Sequence, residues 1–283
     1  MTALDTSPCM TPPMPLPSLR AQALQFLSLS STQDKATQVR ALDLTTWAID
    51  PTEVLPPPAQ LPGRPTRPLL VHPSQLKTRA VGTLTGRAGL IHALTHIEAN
   101  AINLALDMVW RFAHMPEPFY RDWWQVAQEE ALHFELLQQH LLQMGFAYGD
   151  FPAHDGLWDM AERTQADVLA RLALVPRTLE ARGLDATPAV RNRLISVGDQ
   201  AGAAILDIIL RDEIGHVAIG NRWYAHLCTQ RQLNPLTTYA ELAQRYHAPQ
   251  LKGPFNLTAR RAAGFTEPEL AALQHASHTE PTP

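Results

Sequence analysis

Between about Val81 and Arg231, apolar residues recur at the three- and four-residue spacing of a helix face, in long runs broken by turn-forming residues. The first run extends roughly from Thr83 to His114 and stops before Met115-Pro116-Glu117-Pro118. A second continues to Met144, with Gly145 standing where a helix C-cap is expected. After Tyr148-Gly149-Asp150-Phe151-Pro152, a third helix is expected from near Leu157 to Arg182-Gly183, kinked or split at Pro176. The fourth is expected to start after Thr187-Pro188, bend near Gly198 and reach about Cys228. Trp123-Trp124 and the stripe Ile205, Ile208, Ile209 read as core. Nothing here reads as strand, so the fold class is all-α, an antiparallel four-helix bundle occupying residues 81–231.

The flanks carry different patterns. Residues 1–80 combine short helical stretches, Leu19 to Leu29 and Lys35 to Asp43, with a proline-rich segment from Pro51 to Pro73. Proline at that density prevents regular helix or central strand, so an arm wrapping the bundle is expected. Residues 232–283 form a helical C-terminal extension, with helices expected at Leu236 to Arg245 and Glu267 to His275. The loop 246–256 between them is expected to pack on the bundle; the alternative is that Lys252, Asn256 and Arg260 close over a substrate.

Composition narrows the classes of function. A chain of 283 residues with 45% hydrophobic content can bury a sizeable core. The net charge of −4 provides no general attraction to nucleic acid or membrane. Two cysteines, Cys9 and Cys228, form neither a disulfide framework nor a metal-ligand pattern. The N-terminus has Asp5 and Pro8, Pro12, Pro13, Pro15 and Pro17 where a signal peptide needs a basic start and an apolar run. No apolar stretch approaches the roughly 20 residues that span a bilayer. A cytoplasmic protein is expected.

The chemistry lies in a repeated motif. Glu129-Glu130-Ala131-Leu132-His133 and Asp212-Glu213-Ile214-Gly215-His216 each place an acidic residue before Glu-x-x-His. Three residues make nearly one helical turn, so Glu and His of each copy share a face and can grip one ion. Each copy also has a helical glutamate upstream: Glu98 by 32 residues (130 − 98) and Glu180 by 33 (213 − 180). That distance runs up one helix and back down the next. Glu98, Glu130, His133, Glu180, Glu213 and His216 then meet at one level of the bundle, the ligand set of ferritin-like dimetal carboxylate proteins. Which glutamates bridge is left open by spacing.

Asp212 is expected to orient His133 across the bundle, and Glu129 to do the same for His216, because ligating imidazoles donate their other N–H to a carboxylate. His92 and His96 flank Glu98 and are expected to serve helix packing. His226 and His247 have no spacing argument. Gly202 and Gly215 fit close helix packing, or space for O2 or substrate.

The segments around these ligands, His96-Ile97-Glu98-Ala99-Asn100, Glu129 to Phe134, Leu179-Glu180-Ala181-Arg182-Gly183 and Asp212 to Val217, resemble the ferritin-like domain-of-unknown-function family numbered four-five-five. Gly253-Pro254-Phe255-Asn256, Ala259-Arg260 and Ala263-Gly264-Phe265 extend the resemblance through the tail. It implies a ferritin-like bundle holding two iron ions, with Mn or mixed Fe/Mn as variants, related distantly to the bacterial tRNA hydroxylase. Asn103 departs from the family, where many relatives have glutamate.

The function expected is a di-iron carboxylate oxidoreductase, a hydroxylase or oxidase that activates O2 or peroxide and draws on an electron donor. A ferroxidase or iron-handling protein would use the same ligands, and an interaction protein would keep the dimetal site as a staple. Some 130 residues outside the four helices favour a shaped pocket over iron storage. The net charge and the lack of a basic run argue against tRNA without excluding it. A homodimer is compatible with the sequence.

Overall fold

The computed structural model describes residues 16–77 and 79–278. Cys9 and the prolines before Leu16 lie outside the described residues. Helices dominate: α1 (Leu19–Leu27), α2 (Thr32–Ala41), α3 (Leu84–Arg111), α4 (Glu117–Gln143), α5 (Gly156–Arg163), α6 (Val168–Leu174), α7 (Ala181–Ser196), α8 (Gln200–Gln230), α9 (Pro235–Arg245), α10 (Leu257–Ala262) and α11 (Glu267–His278). A π-helical turn, Val175–Glu180, joins α6 to α7. No strand occurs among the described residues, only the isolated bridges Ser18–Ala48 and Leu70–Ala153. The protein is an all-α helical bundle.

Two hairpins build it. Residues 112–116 join α3 to α4, and Gly198 turns α7 into α8; α4 then packs on α8. Side-chain oxygens start several helices by accepting the first free N–H groups: Thr83 from Gly86, Asp199 from Gly202 and Asn234 from Leu236 and Thr237. At the end of α4, Gly145 takes φ +84°, the left-handed conformation expected there.

The third and fourth helices depart from expectation. The stretch expected as one helix from Leu157 to Gly183 is broken at 164–167, where Asp167 caps α6 by accepting from Leu169 N. Pro176 neither ends the helix nor merely kinks it. The backbone widens into the π turn, and Thr178 Oγ1 donates to Ala173 O at 2.8 Å. Nor does the helix stop at Gly183 or restart after Pro188: α7 runs through both to Ser196. Pro188 lacks an N–H, which would orphan Leu184 O four residues back. Asn256 Nδ2 donates to that carbonyl at 3.2 Å, so the tail repairs the gap. The true break is Gly198, at φ +80°.

The stripe on α8 is also shifted by one residue. Ala203, Leu206 and Ile209 are buried, whereas Ile205 and Ile208 are half-buried at the edge. Trp123 and Trp124 are core, as expected, in a cluster that also takes Leu19 and Phe26 from the arm and Leu242 from the tail. Arm, bundle and tail therefore share one core. Buried Arg20 fastens the arm by donating to Val109 O (3.3 Å) and Trp110 O (2.8 Å) at the end of α3.

Asn256 and Arg260 fasten the tail. Arg260 is 1% exposed and pairs with Asp185 at 2.6 Å, while Asn256 N donates to Asp185 Oδ1 at 2.9 Å. These contacts favour the packing reading of this segment over closure on a substrate; Lys252 lies exposed in the loop. Neither proposed role of Gly215 holds, since it is exposed and a Cβ there would meet nothing within 4 Å. Gly202 instead gives room to its capping residue: a Cβ would sit 2.9 Å from Asp199 Oδ2.

Candidate metal centre

The middles of α3, α4 and α8 bring five of the six proposed ligands together. Glu98, Glu130 and His133 form one group with ligand atoms within 4.8 Å of one another; Glu130, Glu213 and His216 form a second. All five are buried, Glu130, His133 and His216 completely. Glu130 belongs to both groups, and its two oxygens divide between them. Oε2 lies 3.2 Å from His133 Nδ1, and Oε1 lies 2.9 Å from His216 Nδ1. Glu98 Oε2 completes the first side at 3.6 Å from His133 Nδ1, and Glu213 Oε2 the second at 3.8 Å from His216 Nδ1. The imidazole centroids are 5.8 Å apart.

Glu180 stands apart from the sequence expectation. The matched spacing makes it the counterpart of Glu98, yet it belongs to neither tight group. It is the last residue of the π turn, with Oε2 buried and without a hydrogen-bond partner. Its charge still acts on Glu213, and Glu130 and His216 act on it. The π turn stays close to α8 because position 220 is glycine: a Cβ there would lie 2.6 Å from Pro176 Cβ.

The acidic residue before each Glu-x-x-His faces the histidine of the other copy. His133 Nε2 is 3.1 Å from Asp212 Oδ2, and His216 Nε2 is 2.7 Å from Glu129 Oε2. Burial would raise both carboxyls, but hydrogen bonds from Arg211 and His133 hold Asp212 below its ordinary pKa, and those from His216 and Gln125 do so for Glu129. An ionised carboxylate only accepts, so each Nε2 carries the hydrogen. Each Nδ1 turns toward Glu130 and becomes a ligand atom once a cation displaces its proton.

Whether these residues fit a cation is decided by what faces what. Glu98 Oε2, Glu130 Oε1, Glu180 Oε2, Glu213 Oε2 and His216 Nδ1 are buried without an aligned hydrogen bond. Buried polar atoms are ordinarily satisfied, and here five unsatisfied ones belong to a single cluster. Crowded acceptors repel unless protons or cations neutralise them. Burial and the Glu130 charge push Glu98 up to about 8; burial and Glu130 also push Glu180 to about 8 and raise Glu213 well above its ordinary value. Burial opposes a charge on His133, but hydrogen bonds with Glu130 and Glu98 push it up to about 11. His216 is raised for the same reason, chiefly by the Glu130 charge, against burial. Glu130, held ionised by both histidines despite its burial, lies well below the usual range. The interior calls for positive charge, and carboxylate oxygens with imidazole nitrogens suit transition-metal ions. The two groups can each hold a metal.

The other histidines have structural partners. His92 Nε2 accepts from Gly149 N at 2.9 Å, and His96 lies 2.8 Å from Tyr148 Oη and 3.1 Å from His154 O, fixing the loop after α4. His226 packs against Trp223, and His247 occupies a turn at φ 51°. Sequence reasoning missed Arg171, a fully buried cation whose charge acts on Glu180 and which is paired with Asp107. No local pattern joins positions 64 residues apart.

The family described as "Protein of unknown function (DUF455)" matches residues 27–271, which include every residue of both groups. A protein of Haemophilus influenzae described as uncharacterized is 47% identical over 222 residues, covering 76% of this chain and 77% of its own. No solved structure matches the chain significantly. No helix among the described residues is long and apolar enough to cross a membrane. With the match spanning arm, bundle and most of the tail, the chain belongs to the DUF455 family.

Proposed function

We propose that the protein is a ferritin-like dimetal carboxylate oxidoreductase, loaded with two iron ions or with manganese in one or both positions. It would act with O2 or peroxide on an organic substrate. The observation that carries this reading is Glu130, whose two oxygens face two different histidines in a buried interior. Glu98, Glu130 and His133 would hold one ion; Glu130, Glu213 and His216 the other. Iron held there would supply the electrons for reducing dioxygen or peroxide, replenished by an external electron donor.

The chain's own residues supply the rest. Asp212 and Glu129 fix the tautomer and orientation of both imidazoles. Burial excludes bulk water and strengthens each electrostatic contact within the site. Glu180 Oε2, buried without a hydrogen-bond partner and outside both groups, would add a further carboxylate that carries a proton beside the centre when the ions are absent and can release it when they bind.

Two measurements test this function. Elemental analysis of the purified protein is expected to find about two iron or manganese ions per chain, as two complete ligand groups require. The reduced, iron-loaded protein is then expected to consume O2 over repeated cycles with an added reductant. One ion per chain, or zinc alone, would sink the dimetal reading. Iron oxidation that continues far beyond two ions per chain and deposits mineral would identify an iron-handling protein instead.

A further inference from the structure

The arm also borders a half-open space that the metal centre does not use. Segment 63–70 lies across α3 and leaves a cavity of about 320 Å3 between them. Its α3 wall includes Ala99, Asn100 and Asn103, none of them three or four residues from Glu98, so it opens on a different helix face. A cavity of this size accommodates a small metabolite.

Its chemistry is two-sided. Pro65, Leu69 and Ala99 give it an apolar lining, while Arg64, Asn100, Asn103 and Tyr148 give it a polar one. Behind Asn103 lies Lys35, 1% exposed, whose Nζ donates to Leu27 O (3.2 Å), Gly63 O (3.2 Å) and Asn103 Oδ1. All three acceptors are neutral. A buried ammonium is ordinarily set against a carboxylate. Burial and the nearby Arg64 charge lower Lys35 to about 7, and an anion bound beside them would favour its charged form. Arg64 pairs through Nη2 with Asp155 at 2.7 Å, and Asp155 does not line the cavity.

The polar groups also select what can bind. Lys35 takes Asn103 Oδ1, which leaves the Asn103 Nδ2 donors for a ligand. Asn100 Oδ1 is buried with no hydrogen-bond partner and can accept from a ligand hydroxyl. We propose that this cavity binds a small organic carboxylate with an apolar body and a hydroxyl group. Arg64 and Asn103 hold the carboxylate, Asn100 accepts from the hydroxyl, and the arm closes over the body. The site stands independently of the metal reading.

Isothermal titration of the full-length, metal-loaded protein with 4-hydroxybenzoate tests it, beside benzoate, 4-hydroxybenzyl alcohol and inorganic phosphate. One site is expected to bind 4-hydroxybenzoate at least about tenfold more tightly than the neutral alcohol or phosphate, with benzoate between. R64Q and N103D are each expected to weaken it at least about tenfold, and N103D keeps a partner for Lys35. Circular dichroism and metal content check that both variants remain folded. Three results overturn the proposal: equal affinity for acid and alcohol, tighter binding of phosphate, or loss of binding in E130A with R64Q and N103D unaffected. The last would place the probe at the metal centre.

Discussion

Two groups of buried charge sit in one bundle and are solved in opposite ways. At Asp107, Arg171 and Arg111, each charge meets its opposite: Asp107 pairs with Arg171 and accepts from Arg111 at 2.7–3.0 Å, and Arg171 also donates to Thr164 Oγ1 at 2.9 Å. At Glu98, Glu130, Glu180 and Glu213, four carboxyls share an interior with two histidines, and unpartnered oxygens remain. A closed ion-pair network needs nothing more and holds helices in place. A cluster of like-charged groups left open can hold a cation that the chain itself does not provide. Burial is common to both. Satisfaction separates structure from chemistry.

The sharpest way to break this contrast is to remove one member from each group. Glu130→Ala takes a ligand from both metal positions and is expected to eliminate nearly all bound metal, read by elemental analysis, while the chain still folds. Asp107→Ala is expected to do the reverse. Leaving Arg171 buried and unpaired costs about 3–5 kcal/mol in denaturant unfolding, yet metal per folded chain stays at the wild-type level. Equal metal loss in both variants would erase the distinction.

Chelation sharpens it further, because protons must then replace the ions. Glu98 and Glu180 lie near 8 against an ordinary 4.5, so the folded chelated chain holds more protons than the unfolded one between those values. Its stability falls as pH rises through that window, and His133, at about 11 against 6.5, continues the fall above it. Metal-loaded protein, with ions in place of those protons, is expected to lack this decline. Melting temperature across pH 5–9, with and without chelator, reads the difference; parallel curves contradict it.

Smaller effects are expected outside the ligand groups. Asp212→Asn and Glu129→Gln weaken the hold on ring orientation, and each is expected to lower metal affinity by about 10–100-fold in competition with a chelating dye. An unchanged affinity would reduce both to surface partners. Glu135→Ala, two residues beyond His133, breaks only the exposed pair with Arg40. It is expected to cost about 0–1 kcal/mol and leave the metal intact.

The site was legible because helical spacing is short-range physics. Glu130 and His133 share a face wherever that helix lies, and the repeat with Asp212-Glu213-Ile214-Gly215-His216 marks a second grip before any packing is known. The cross-bundle contacts of Asp212 and Glu129 could be read for the same reason. Glu180 was legible as a candidate but not as a position. The π turn that carries it depends on Thr178 serving a freed carbonyl and on Gly220 admitting Pro176, and neither relation lies within one helical turn of sequence. The helix boundaries near Gly183 and Pro188 were misplaced because Asn256, 68 residues beyond Pro188 (256 − 188), satisfies Leu184 O.

By itself, the sequence determined an all-α chain, two Glu-x-x-His turns and the family to which they belong, since periodicity and motif spacing act within a few residues. Tertiary structure decided that Glu130 is shared by the two groups, that Glu180 stands outside them, and that Lys35 is buried against Asn103 rather than a carboxylate. Those outcomes depend on which distant groups are brought close enough to neutralise one another, and only the packed chain sets those distances.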